Sequence, residues 1–147
     1  MTNKRVLLIG YGNTLRSDDG VGYMVACQLQ SQNIPGLETI ATLSLTPELS
    51  EKMAEYQTVI FVDACVSQDT LTLTRIETPH QPPDNWPHKL TPASLLKLTQ
   101  WIYHKTPDTW IIAIPAKNLD FGQNISQCTK KQAQLAIELV KNFISRQ

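Results

Sequence analysis

Residues 58–64 read T-V-I-F-V-D-A, and their apolar core, Val59-Ile60-Phe61-Val62, has no polar alternation. A strand of this kind is hydrophobic on both faces, so both faces must be covered. That requirement excludes a sheet with one wet side and calls for helices above and below. Residues 5–10 (R-V-L-L-I-G) make the same demand. Between the two runs, residues 20–32 carry Val21, Met24, Val25 and Leu29 at helical spacing. Strand, helix and strand in that order predict parallel pairing.

The rest of the chain extends the alternation. Residues 37–43 read as a strand. Thr46-Pro47-Glu48 reads as a helix start, with Thr as N-cap, Pro at the first helical position and an acid in the first turn; that helix is short and ends near Tyr56. Residues 70–76 (T-L-T-L-T-R-I) alternate strictly, which predicts an antiparallel edge strand with one solvated face. Residues 81–88 hold three prolines and a tryptophan and read as a loop. Thr91-Pro92 repeats the threonine–proline device and opens a helix expected to turn Leu95, Leu98 and Ile102 inward. Residues 109–115 form the last strand. Residues 129–145 form a long amphipathic helix, with Ala133, Ala136, Ile137, Val140 and Ile144 on one stripe and Thr129 with Gln132 as a capping box. The expected architecture is a three-layer α/β/α sandwich around a five-stranded, mostly parallel sheet of order 2-1-3-5-4. It has one antiparallel edge strand and is a single domain over residues 1–147.

Composition narrows the function. Thirteen Lys and Arg balance thirteen Asp and Glu, so no electrostatic footprint for nucleic acid or an anionic membrane is present. Cys27, Cys65 and Cys128 are widely spaced with no C-x-x-C pair, which points to a reducing, cytoplasmic setting. The apolar runs are too short to span a bilayer.

In open α/β sheets chemistry gathers beyond the carboxyl ends of the strands. After strand 1 comes G-N-T-L-R-S-D-D-G-V-G (residues 12–22), and after strand 3 comes Asp63 at the end of an apolar run. Gly10-Tyr11-Gly12 does not complete a dinucleotide fingerprint, because Leu15 stands where the third glycine belongs. One of Asp18 and Asp19 could cap the next helix; a second adjacent acid is not needed for capping. A carboxylate beside so apolar a strand as 59–62 costs desolvation unless it has a partner. Pro87-His88-Lys89-Leu90 precedes the third helix. The G-x-S-x-G elbow, H-E-x-x-H and the P-loop are all missing from the sequence, which disfavours a serine hydrolase, a zincin and a P-loop NTPase. What remains is Asp19, Asp63 and His88, two carboxylates and one imidazole, a set suited to a borderline divalent metal with positions left open.

These residues resemble the signature of the hydrogenase maturation proteases, which trim the C-terminal extension from the large subunit of nickel–iron hydrogenases. Residues 45–49 (L-T-P-E-L), 59–64 (V-I-F-V-D-A), Ile114-Pro115 and the loop 122–126 follow in the family's order. The resemblance implies an aspartate-type endopeptidase whose metal contacts are Asp19, Asp63 and His88, with Asp19 and Asp63 in the catalytic role. It implies that the metal is nickel carried by the precursor, with no organic cofactor, and that nickel reports a completed active site before the cut. The partner is then a hydrogenase large-subunit precursor, met by a monomer. Gly12, Asn13, Asp18 and Gly20 shape the loop, and Thr46 and Glu48 help choose the precursor. The chain departs from some relatives in carrying Asp19 where they carry Glu, one methylene shorter.

Two other readings compete. A receiver-like phospho-acceptor domain also places acids after strand 1, an Asp after strand 3 and a Lys after strand 5, here Lys117; its acid pair, however, belongs at the strand end itself. A non-catalytic protein that only binds the precursor is the other.

Overall fold

The computed structural model describes residues 6–77 and 90–146. Five strands form one sheet in the order β2-β1-β3-β5-β4, with β1 at Val6–Tyr11, β2 at Leu37–Thr42, β3 at Thr58–Cys65, β4 at Thr72–Ile76 and β5 at Asp108–Pro115. All neighbours run parallel except β4, which lies antiparallel on β5. The helices are α1 (Val21–Ser31), α2 (Leu49–Met53), α3 (Pro92–Tyr103) and α4 (Gln127–Ser145), and a single 3-10 turn spans Ser17–Gly20. This is the order and the antiparallel edge that the alternation of elements predicts.

The parity of side chains along the central strands builds the two faces. On one, Val6 and Leu8 of β1, Ile60 and Val62 of β3 and Ile112 and Ile114 of β5 pack against Val25 and Leu29 of α1 and Ala136, Ile137 and Val140 of α4. On the other, Leu7, Ile9, Val59 and Phe61 pack against Met53 of α2 and Leu95 and Leu96 of α3. Each fully buried side chain of this size contributes about 1.5–3 kcal/mol. Among the described residues no helix is long and apolar enough to cross a membrane.

Helix starts follow local chemistry, with three departures from expectation. Thr91 caps α3 as expected: it accepts from the Ser94 N–H at 3.1 Å, its own N–H donates to Ser94 Oγ at 2.7 Å, and Pro92 occupies the first turn. The helix turns Leu95 and Leu96 inward, but Ile102 is half exposed, because the buried stripe continues through Thr99 instead. Helix α2 begins at Leu49, later than Thr46-Pro47-Glu48 suggests, because Pro47 and Glu48 form a turn that bonds Leu49 N–H to Thr46 O at 3.2 Å. Helix α4 is capped by Ser126, not Thr129; the Thr129 hydroxyl is drawn to a buried carboxylate instead.

Helix α1 reaches the strand ends because Gly22 has no side chain. A Cβ there would collide with the backbone carbonyls of Val62 and Tyr11. The start of α1 thus lies directly over the carboxyl ends of β1 and β3.

Candidate active site

Tyr11 and Asp63 sit at the carboxyl ends of adjacent strands. Tyr11 follows Leu7 and Ile9 in parity, and Asp63 follows Val59 and Phe61, so both project toward the α2/α3 face. The Tyr11 ring meets Phe61 edge-on, centroids 6.4 Å apart at 85°. Its hydroxyl donates to Asp63 Oδ2 at 2.8 Å. Burial, above all, and then the charge of Asp63, the hydrogen bond to it and the charge of Asp19 push the phenol well above its ordinary pKa. Tyr11 is therefore a neutral donor throughout the physiological range.

Asp19 arrives from the loop after β1. The Asn13 N–H donates to Asp19 Oδ2 at 2.9 Å, and Asn13 Oδ1 accepts from the Leu15 N–H at 2.9 Å. Gly12, at φ 154°, makes the close approach to the Asp19 backbone that a side chain would block. Neither acid caps α1; its N-cap is Gly20, which makes no side-chain cap bond.

Asp18 has a separate task. Although fully buried, its carboxylate accepts five hydrogen bonds: from the backbone N–H of Lys117 (3.1 Å), Asn118 (3.0 Å) and Ser126 (2.7 Å), and from the hydroxyls of Ser126 (2.9 Å) and Thr129 (2.9 Å). Burial alone would raise its pKa. The bonds from the Ser126 and Asn118 backbone and from the Thr129 and Ser126 hydroxyls outweigh burial and hold it below the ordinary carboxylate value. The carboxylate fastens the loop after β1 to the loop before α4, beneath the site.

Asp19 and Asp63 line one cleft of about 1090 Å³, together with Tyr11, Gly12, Asn13 and Arg16 on one side and Leu43, Leu45 and Pro47 beyond β2. Leu90, Thr91, Pro92 and Leu98 form the facing wall. A smaller hollow of about 430 Å³ beside Ile34, Pro35 and Gly36 holds none of the candidate side chains. Thr46 and Glu48 flank Pro47 without lining the cleft. The Thr46 hydroxyl bonds the Glu48 carboxylate and draws its pKa below the usual value. Gly20 also stays out of the lining. His88 lies outside the described residues. Among the described residues no three His, Cys, Asp or Glu side chains cluster closely enough to hold a metal ion. Two acids of this chain, with positions left open, nonetheless suit an oxygen-ligated divalent ion that brings further ligands with it. Lys117 does not face Asp63: its ammonium pairs with Asp69 at 2.6 Å and lines no part of the cleft.

No family model and no curated protein matches the sequence. Solved structures do. The chain resembles the hydrogenase maturating endopeptidase HybD from E. coli, at TM-score 0.77 and 21% identity over 97% of this chain and 93% of that one. This is the fold of the hydrogenase maturation proteases. The hydrogenase 2 maturation peptidase from Thaumarchaeota archaeon SCGC_AB-539-E09 matches at TM-score 0.72 and 22% identity, over 96% of this chain and 98% of its own. The maturation protease HycI from Thermococcus kodakarensis KOD1 matches at 0.74 and 19%, over 97% and 93%. The five-stranded mixed sheet flanked by helices is thus shared with the maturation proteases along nearly the whole chain.

Sequence reasoning gave no role at the site to Tyr11, Arg16 or Ser126, and it read Thr129 only as a helix cap. For Tyr11 a signal existed, since strand parity puts it on the same face as Asp63. For the donors to Asp18 there was none.

Proposed function

We propose that this protein is an aspartate-type endopeptidase that removes the C-terminal extension of a nickel-loaded [NiFe]-hydrogenase large-subunit precursor. The observation that carries the reading is the meeting of Asp19 and Asp63, brought from two separate strand ends, in a single cleft with room for an extended peptide. The similarity to HybD, HycI and a hydrogenase 2 maturation peptidase supports it.

Asp19, Asp63 and His88 would contact nickel held by the precursor. When bound, the ion supplies Lewis acidity and a point of attachment. The chain's own residues supply orientation. The Tyr11 hydroxyl holds one oxygen of Asp63 and so orients its carboxylate. The Asn13 N–H fixes Asp19. A carboxylate so placed can take a proton from an attacking water and return it to the leaving amine. Leu43, Leu45, Leu90 and Leu98 give the cleft an apolar lining that a bound peptide would cover, displacing water there.

The test is a gel-shift assay with purified protein and the precursor in nickel-loaded and nickel-free forms. Loss of a C-terminal peptide from the loaded form alone is expected. Equal cleavage of both forms would refute nickel recognition, and binding without shortening would favour the non-catalytic reading.

A further inference from the structure

The cleft lining contains one cation among the described residues, Arg16, facing a set whose other charges are Asp19 and Asp63. Of the other described cations, Arg75 pairs with Asp108 at 2.6 Å, Lys117 with Asp69 at 2.6 Å and Lys52 with Glu38 at 3.2 Å. Arg16 forms no ion pair and no side-chain hydrogen bond with any described residue, and it is exposed at the cleft. A solitary exposed arginine is ordinary. The anchorage of this one is not.

Its N–H bonds Asn13 O and its carbonyl accepts from the Asp19 N–H, both at 3.1 Å. On either side, Gly122 N–H reaches Leu15 O and Ser17 N–H reaches Gly122 O, both at 2.8 Å, so Arg16 lies in a two-residue parallel bridge. Ser17 is held at φ 52°, a left-handed conformation that disfavours a non-glycine residue. Its Oγ is tied to Asp120 O at 2.8 Å, and the next residue is the five-bonded Asp18. This strained and heavily bonded segment presents two side chains to the cleft, Asp19 and Arg16.

We propose that Arg16 is a specificity-determining residue that binds a carboxylate of the substrate chain. A guanidinium presents a flat fork of donors that matches a carboxylate in bidentate fashion. With Asp19 and Asp63 in the same cleft, an anionic group would be repelled unless a fixed cation receives it. In a polypeptide substrate that group is an Asp or Glu side chain or the free C-terminus. The inference deepens the endopeptidase reading and rests on it for the identity of the substrate, while carboxylate binding itself can be read without cleavage.

The experiment has two arms, both on the full chain. In the first, the Arg16 Nε–H resonance is followed by NMR while acetyl-Ala-Asp-Ala-amide, acetyl-Ala-Ala-Ala with a free carboxyl terminus, or neutral acetyl-Ala-Ala-Ala-amide is added. A shift with a carboxylate peptide and none with the neutral one is expected, and the peptide that causes it identifies the source. In the second, cleavage of nickel-loaded precursor is measured for wild type, Arg16→Lys and Arg16→Gln. Arg16→Gln is expected to raise KM about tenfold with a smaller loss in kcat, and Arg16→Lys to recover part of it. Replacing the acidic side chains of the precursor's extension by amides, or amidating its terminus, should raise KM for wild type and leave Arg16→Gln unaffected. An identical response to neutral and carboxylate peptides overturns the proposal, as does an unchanged KM in Arg16→Gln. Absence of cleavage by wild type would defeat the endopeptidase reading alone, with the NMR arm still deciding Arg16.

Discussion

The Tyr11 hydroxyl donates a 2.8 Å hydrogen bond to Asp63 Oδ2, joining the last residue of β1 to the acid at the end of β3. Because the phenol stays neutral and the carboxylate is charged, the bond is of the stronger, charge-assisted kind, about 1.5–3 kcal/mol. Tyr11→Phe keeps the ring against Phe61 and removes only the donor. Precursor cleavage is expected to fall about tenfold or more while Tm falls by no more than roughly 5–10 °C. A large loss of Tm with unchanged kcat would show that the bond serves the fold and not the chemistry.

Asp19→Asn and Asp63→Asn each remove a charge from the cleft and keep the shape. Both are expected to abolish processing, with Tm close to wild type. A similar large drop in Tm in both would assign the two acids a structural role.

Asp18 gives a pH dependence with a definite sign. Its folded pKa lies below the ordinary value, so its contribution to stability is fully present above the unfolded pKa. That contribution is lost as pH falls through the folded value, in the acid range below roughly pH 4. Asp18→Ala leaves three backbone N–H groups and two hydroxyls without their acceptor, and should cost about 3 kcal/mol or more near neutral pH. Thermal melts of wild type and Asp18→Asn between pH 2 and 7 should converge at the acid end. A constant gap across the range would contradict the assignment.

Gly22→Ala places a methyl group against the carbonyls of Val62 and Tyr11. Backbone cannot yield as a side-chain tip can. A loss of about 2 kcal/mol or more is expected from chemical denaturation, together with reduced cleavage, because both strand ends would shift.

His88→Ala is expected to slow cleavage and to weaken retention of nickel-loaded precursor, read by pull-down of the loaded form. Unchanged turnover would remove His88 from the set.

Much of this was legible in the sequence for reasons that are local. Residues 59–62 and 6–9 are apolar at every position, and only a strand covered on both faces accommodates that, which fixes the central pair. The alternation at residues 70–76 marks β4 as the antiparallel edge, and Thr91-Pro92 marks the start of α3. What the sequence hides is non-local. No pattern near Asp18 announces that its acceptor oxygens are met by donors 99 to 111 residues further on. The same contact explains why Thr129 does not cap α4 although its type suits the role: its hydroxyl is engaged with Asp18, and Ser126 takes the cap. Ile102 misled for a simpler cause, since the spacing Leu95, Leu98, Ile102 drifts off the buried stripe by the last turn of α3.

The bonds from residues 117–129 to Asp18 also set an order in time. During synthesis β1 and its loop leave the ribosome before residues 117–129, whose donors, 99 to 111 residues further on, the buried Asp18 carboxylate needs. A nascent chain therefore holds both Asp19 and Asp63 without the clasp that anchors the Arg16–Asp19 segment. The Arg16–Asp19 segment is fully anchored only when the start of α4 docks on it.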